Sequence, residues 1–329
     1  MTRIGFLGTG WIGRHRMAAI LATGAEAVAI ADPSPDMAAE ALKLAPAAQL
    51  VGTLDDLLAL RPDGIVIATP SALHAAQSIQ ALEAGAAVFC QKPLGRNAHE
   101  ARAVVEAARR ADRLLAVDLS YRHTEAMRRI RAAITDGALG RPYAVDLTFH
   151  NAYGPDKPWF RDPVLSGGGC VMDLGVHLVD LALWALDFPA VTAVTSALFA
   201  GGEPLAGRTD RVEDYAVATL TLETGAVVRL ACSWNLHAGR DAVIAAEFQG
   251  TQGGAALRNE AGSFYDFTAE RFRGTARETL SGPPDDWGGR AAAGWAIRLA
   301  EGARFDPEAA QLVAVAEVLD RIYGRPGPS

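Results

Sequence analysis

Over the first 120 residues, short apolar runs alternate with helical stretches. Ile4 to Leu7 precedes Trp11 to Ala22, Ala27 to Ala31 precedes Asp36 to Leu44, and Ile65 to Ala68 precedes Ala72 to Ala84. Ala87 to Cys90 then precedes Ala98 to Arg110, and Leu114 to Val117 closes the series. Strands alternating with helices predict an α/β fold, a doubly wound parallel sheet wrapped by helices. The punctuation agrees. Gly24 and Gly85 fall at helix ends, where a positive φ is wanted, while Ser34-Pro35-Asp36 and Thr53-Leu54-Asp55-Asp56 read as helix starts.

Beyond a helix from Glu125 to Thr135 the texture changes. Strand-like runs follow one another: Tyr143 to Phe149, Val191 to Phe199, Tyr215 to Leu222, Val227 to Trp234, Ala242 to Phe248 and Ala255 to Arg258. Turn signals such as Glu223-Thr224-Gly225 separate them, so antiparallel hairpins in an open sheet are expected. Helices from Cys170 to Leu186 and Pro307 to Tyr323 complete an α+β second domain. The expected division is a dinucleotide-type domain over 1–120 and a second domain over 121–329, with the last helix packing back on the first domain. One face of the open sheet, carrying Val217, Thr219 and Thr221, is left needing a partner, which predicts homo-oligomerisation.

With 50% hydrophobic and 21% charged residues, the 329-residue chain has ample core material and too little charge for disorder. A net charge of −7 without any basic run argues against nucleic-acid binding. Cys90, Cys170 and Cys232 lie far apart without CxxC spacing, so neither a zinc site nor a disulfide framework is expected, and a reducing cytoplasm fits. No uninterrupted apolar run of spanning length is read, so neither secretion nor membrane insertion is expected. Of 31 basic residues only Lys43, Lys92 and Lys157 are lysine, which draws attention to each. An ammonium can change protonation, whereas guanidinium is permanently charged.

Gly8-Thr9-Gly10-Trp11-Ile12-Gly13 follows the first strand and opens the first helix, the context in which GxGxxG signals a dinucleotide. The first glycine permits the turn, the second lets backbone approach a pyrophosphate, and the third allows helix and strand to pack; helix amides then hold the anion. Asp32 ends the second strand at the spacing of the acid that binds the ribose diol. Asp36 is better placed to cap the next helix. A carboxylate repels a 2′-phosphate, and no arginine follows among Pro33, Ser34 and Pro35, so NAD is favoured over NADP. Ala68-Thr69-Pro70-Ser71 reaches the same carboxyl edge and is expected to line the cofactor.

Gln91-Lys92-Pro93 also exits a strand at that edge, bringing an amine toward the nicotinamide. Farther on, the run Gly167-Gly168-Gly169-Cys170-Val171-Met172-Asp173-Leu174-Gly175-Val176-His177 sets Asp173 and His177 four apart on one helix face. With the glycine fingerprint, Ala68-Thr69-Pro70 with His74, Gln91-Lys92-Pro93, Tyr121-Arg122 and Gly167 to Asp180 preceded by Trp159 and Arg161, the chain resembles the glucose-fructose oxidoreductase and inositol dehydrogenase (Gfo/Idh/MocA) family over nearly its whole length. The resemblance implies a Rossmann domain followed by an α+β domain with a large, mostly antiparallel open sheet, NAD(P), and dimers or tetramers. It implies that Lys92 is the active-site lysine, with Asp173 and His177 as partners. His74 and Gln91 fall among the implied cofactor contacts. Imidazole suits the acceptor of a hydroxyl proton, so His177 is assigned that role, Lys92 orients the hydroxyl, and Asp173 tunes the imidazole. One departure stands out: the family usually has glutamate where this chain has Gln91.

The loop His150-Asn151-Ala152-Tyr153-Gly154-Pro155-Asp156-Lys157-Pro158-Trp159-Phe160-Arg161 mixes aromatics with hydrogen-bonding groups, as a polyhydroxylated ring would require. Tyr153, Trp159 and Arg161 are the substrate candidates there, with Arg122, His123, Asn235 and His237 beyond it. The expected activity is hydride transfer between nicotinamide and a hydroxyl-bearing carbon of a sugar, cyclitol or related polyol. The competing readings are a glycoside-cleaving enzyme that uses NAD transiently and a non-catalytic dinucleotide-binding regulator on the same fold.

Overall fold

In a computed structural model, residues 1–208 and 210–325 are described. They form two compact units: Met1–Ser120 with Gly288–Val313, and Tyr121–Trp287 with the chain from Ala314 onward.

The first unit holds six strands, β1 (Arg3–Leu7), β2 (Glu26–Ala31), β3 (Gln49–Leu50), β4 (Gly64–Ile67), β5 (Ala87–Cys90) and β6 (Leu115–Val117). They lie in the order β3-β2-β1-β4-β5-β6, and every pairing is parallel. Every residue of β4 and β5 is buried, as in a sheet covered on both faces. Phe6, Met17, Ile30, Phe89 and Trp295 share one core. Trp295 comes from a helix, Arg290–Ala300, that the alanine-rich sequence does not announce. It packs so closely on β4 that a Cβ at Gly64 would lie 2.6 Å from the indole.

Because all strands run one way, the residue following each strand emerges at one edge. The amides of Gly8, Ala68, Gln91 and Asp118 extend the ladder there, donating to Ala31, Leu7, Ile67 and Cys90 carbonyls at 2.8–2.9 Å. Helix starts follow their chemistry. The Thr53 hydroxyl accepts from Asp56 N at 3.1 Å. The second helix begins at Pro35 and is capped by Ser34, not Asp36, since the Ser34 side chain accepts from Met37 N while Asp36 sits inside the first turn. Gly24 and Gly85 adopt φ of +87° and +88°.

The second unit is built on nine strands: β7 (Pro142–Asn151), β8 (Val191–Ala200), β9 (Glu203–Pro204), β10 (Tyr215–Leu222), β11 (Val227–Ser233), β12 (Ala242–Gly250), β13 (Gly254–Asn259), β14 (Phe267–Arg273) and β15 (Ala276–Ser281). Their order is β15-β14-β13-β12-β7-β11-β10-β8-β9. Neighbours are antiparallel except β7 and β11, which pair in parallel, so the expectation of hairpins throughout is corrected at the centre of the sheet. The Val176–Ala185 helix packs over β7 and β11, and the Glu125–Thr135 helix over β13 to β15. On β10, Ala216, Ala218, Leu220 and Leu222 face the helices while Val217, Thr219 and Thr221 face away.

Pro163–Ala185 is long and apolar enough by length and composition to cross a membrane, yet Asp173 and Asp180 interrupt it and 83% of its most apolar window is buried inside the protein. Its apolarity serves the core. Cys170 and Cys232, distant in sequence, meet there as thiols with sulfurs 3.8 Å apart.

Candidate active site

In the first unit the three fingerprint glycines differ in what surrounds them. Gly8 has φ of +84°, and a Cβ on it would lie 2.6 Å from Ala68 O; a Cβ on Gly13 would lie 2.3 Å from Gly8 O. Both are fixed by close backbone packing. A Cβ on Gly10 would meet nothing within 4 Å, and Gly10 caps the Trp11–Leu21 helix without any side-chain bond. Helix amides thus open onto free space bordered by glycine, which fits a dinucleotide pyrophosphate. Trp11 is 61% exposed beside it, and Ile12 is half-buried.

Asp32 is joined to the same turn. Its Oδ2 accepts from Thr9 N at 2.5 Å and Thr9 Oγ1 at 3.1 Å, and its Oδ1 accepts from Ser34 N at 2.9 Å. Thr9 is fully buried, so its side chain serves this carboxylate. Arg14, outside the sequence expectations, donates to Thr9 O at 2.7 Å. A search for arginine only after Asp32 misses a cation reaching the loop from the helix.

His74 and Gln91, expected among the cofactor contacts, are buried and bonded within the protein. The His74 ring lies 2.6 Å from Pro93 O through Nδ1 and 2.7 Å from Thr69 O through Nε2, bridging the turns after β4 and β5. Burial pulls its pKa below the ordinary histidine value, against the two carbonyls. Gln91 turns inward, its Nε2 donating to Asp118 Oδ2 at 2.7 Å. Between them sits Lys92, half-buried and followed by a cis peptide to Pro93. Ala68, Thr69 and Pro70 are half-buried, and Thr69 Oγ1 donates to Gln77 Oε1 at 2.6 Å.

In the second unit the glycine-rich run is organised by Glu213, a residue that no motif or spacing marks. Its Oε1 accepts from Gly169 N at 3.0 Å, Val171 N at 2.8 Å and the Tyr323 hydroxyl at 2.8 Å. Burial raises its pKa against the pull of these donors. A Cβ on Gly169 would lie 1.8 Å from Glu213 O, and one on Gly168 would lie 2.0 Å from the Tyr323 hydroxyl. Val171–Gly175 then winds as a π-helical turn before the regular Val176–Ala185 helix. The uniform α-helix expected over Cys170 to Leu186 is corrected accordingly; such turns recur at functional sites.

Asp173 lies within that turn and Oδ2 accepts from Trp234 Nε1 at 3.0 Å. Trp234 also contacts Phe160 edge-on and lies under the Arg161 guanidinium, 6.0 Å from the ring centre. Trp159 stacks on Phe160 with centroids 3.8 Å apart. Asn235 adopts φ of +58°, and a Cβ on Gly154 would lie 2.3 Å from Arg161 Nη2 and 3.2 Å from Asn235 Oδ1. The structure therefore gathers Trp159, Arg161, Asp173 and Asn235 around Trp234. His177, 6% exposed, packs against the Tyr121 ring at 4.8 Å and Phe149 at 6.5 Å.

Two substrate candidates have other commitments. The Arg122 fork donates to both Asp180 oxygens, through Nε at 2.7 Å and through Nη2, and the guanidinium lies 5.2 Å from the Phe188 ring. Burial raises the Asp180 pKa and Arg122 opposes the rise. Breaking such a buried pair costs about 3–5 kcal/mol. Exposed Tyr153 donates to Asp241. Lys157 pairs with Asp156 at 3.6 Å in the open.

A family model described as an oxidoreductase family with NAD-binding Rossmann fold matches residues 2–119, and the GFO/IDH/MocA C-terminal domain model matches residues 127–256. The chain is 31% identical to D-glucoside 3-dehydrogenase of Escherichia coli over 61% of its own length and 60% of that protein's, so it spans less than two thirds of that relative. To 1,5-anhydro-D-fructose reductase of Ensifer adhaerens it is 30% identical, over 79% of this chain and 76% of that one. Among solved structures, GenD2 from gentamicin A biosynthesis, in complex with NAD, superposes with a TM-score of 0.81 at 25% identity, covering 98% of this chain and 94% of that one.

Proposed function

Because the chain belongs to the Gfo/Idh/MocA oxidoreductase family, whose first unit is an NAD-binding Rossmann domain, we propose that it transfers hydride between nicotinamide and a hydroxyl-bearing carbon of a sugar, cyclitol or related polyol. The observation that carries the reading is the turn in which Gly8 and Gly13 are locked by backbone while Gly10 borders open space, with Asp32 bonded to the same loop. The named relatives act on glucosides and an anhydro-sugar, which supports a carbohydrate substrate.

Gly10, the amides opening the first helix and Asp32 would hold NAD through pyrophosphate and ribose. Bound there, NAD supplies the hydride acceptor. In the direction of oxidation His177 takes the hydroxyl proton as the carbon–hydrogen bond breaks. Lys92 orients that oxygen and offsets its developing negative charge. Asp173 steadies the imidazole electrostatically, and Trp159 and Arg161 meet the sugar by ring face and hydroxyl. Assembly into a homodimer or homotetramer through the outward face of β10 is part of the proposal, as is a cytoplasmic setting in keeping with three free cysteines. Light scattering showing a strict monomer at micromolar concentration contradicts the assembly.

A panel of sugars and cyclitols, assayed for NADH absorbance and for product, tests the function. Stoichiometric NADH and ketone support it. Cleaved glycoside without net NADH points to the glycosidase chemistry, and dinucleotide binding without turnover of any panel member points to a regulator.

A further inference from the structure

Gln91 stands where the family resemblance leads one to expect glutamate, and its surroundings supply a reason internal to this chain. Its amide donates to Asp118 Oδ2 at 2.7 Å, and that same oxygen accepts from Arg16 Nε at 2.6 Å. All three groups are buried: Gln91 is 7% exposed, and the Arg16 and Asp118 side chains 6% and 1%. Gln91 and Asp118 are each the first residue beyond adjacent parallel strands, so the sheet sets them side by side. A carboxylate at 91 would face the one at 118 within hydrogen-bonding reach, with the Arg16 guanidinium bonded to Asp118. Two like charges at that range do not both ionise freely. An amide avoids the conflict by donating.

We propose that Arg16, Asp118 and Gln91 form a positioning network for Lys92, with the carboxylate of this pair of positions carried at 118 instead of 91. The proposal rests on the role given to Lys92 above. The residue before Lys92 is held by Asp118, and the carbonyl of the residue after it is held by His74 at 2.6 Å. The backbone of the lysine is thereby fixed from both sides, which matters for a group whose value lies in placing one oxygen. Asp32, at the same edge beyond β2, is bonded to Thr9 and Ser34. His74 lies in the fields of Lys92 and Glu100, His15 meets Arg16 Nη1 at 2.9 Å, and burial pushes the Cys90 thiol up to about 12, with Asp118 contributing.

Having only three lysines makes the test direct. The full-length protein is reductively methylated with carbon-13, and the Lys92 resonance is assigned with a Lys92→Arg control. That resonance is then titrated in wild type, Gln91→Glu, Gln91→Met and the double variant Gln91→Glu with Asp118→Asn, with thermal melts to establish folding. Gln91→Glu places a second carboxylate beside the first; the pair holds a shared proton at lower pH but loses it before the alkaline range in which lysine titrates, so Lys92 is expected to titrate roughly one unit higher. The double variant, again with one carboxylate and one amide, returns toward wild type. Gln91→Met removes the donor without adding charge, so its titration stays near wild type while turnover falls about ten-fold through lost positioning. An unmoved Lys92 resonance in Gln91→Glu, a shift in Gln91→Met as large, or a folded double variant that keeps the shift overturns the proposal. The resonance is read without substrate, so a mistaken substrate class leaves this result interpretable.

Discussion

Trp234 Nε1 donates to Asp173 Oδ2 at 3.0 Å, anchoring the helix carboxylate to the residue that follows β11. Asp173 is therefore held by more than its own helix. Trp234→Phe keeps an aromatic ring and removes the donor. It is expected to lower kcat about ten-fold with little change in KM, the pattern of a misplaced group. Steady-state kinetics on an identified polyol checks this; unchanged kcat means the indole bond plays no part in catalysis.

His177→Ala is expected to leave NAD affinity near wild type and to lower turnover by about a hundred-fold or more, the range for a positioned acid–base group. Calorimetry beside kinetics separates the two effects. Wild-type turnover in this variant would transfer the proton-accepting role to Lys92.

Lys92→Arg keeps the charge in a chain that uses arginine almost everywhere else, yet it should fail. The guanidinium is planar and larger, and misplacing the hydroxyl costs about a hundred-fold in rate. Lys92→Met should be at least as damaging. NAD affinity measured alongside turnover distinguishes loss of catalysis from loss of fold, and near-normal activity in the arginine variant reduces Lys92 to a structural cation.

Asp32→Ala should narrow the preference for NAD over NADP from both directions. It removes charge-assisted bonds to the ribose, weakening NAD on the order of ten-fold, and it removes the repulsion of a 2′-phosphate. Arg14, bonded to Thr9 O at 2.7 Å, then borders the same loop. Equal calorimetric affinities of the wild type for the two dinucleotides contradict the assignment.

What could be read beforehand follows from how locally each feature is encoded. The glycine turn, Thr53 capping and Asp32 just beyond the end of β2 depend on a few consecutive residues, and the structure places them as the sequence implies. The parallel β7–β11 pair depends on distant partners and was not legible, and the Arg290–Ala300 helix lay outside the sequence expectations. The same holds for supports. Glu213 lies 42 residues beyond the Val171 amide it accepts, and Asp118 lies 27 beyond Gln91. Polar groups buried by long-range pairing leave no spacing to recognise. Arg122, singled out by a motif as a substrate candidate, also donates to Asp180, a bond that no spacing announced.

Hydride transfer itself is the most direct test of the account. A carbohydrate substrate from the panel, deuterated at its carbon-bound positions, is converted with NAD in a single turnover, and the cofactor and sugar are analysed by mass spectrometry. Reduced cofactor carrying one deuterium, in equal amount with a ketone that has lost it, is the expected result. Cleaved or altered sugar beside cofactor that is still oxidised, or reduced cofactor without the label, would contradict it.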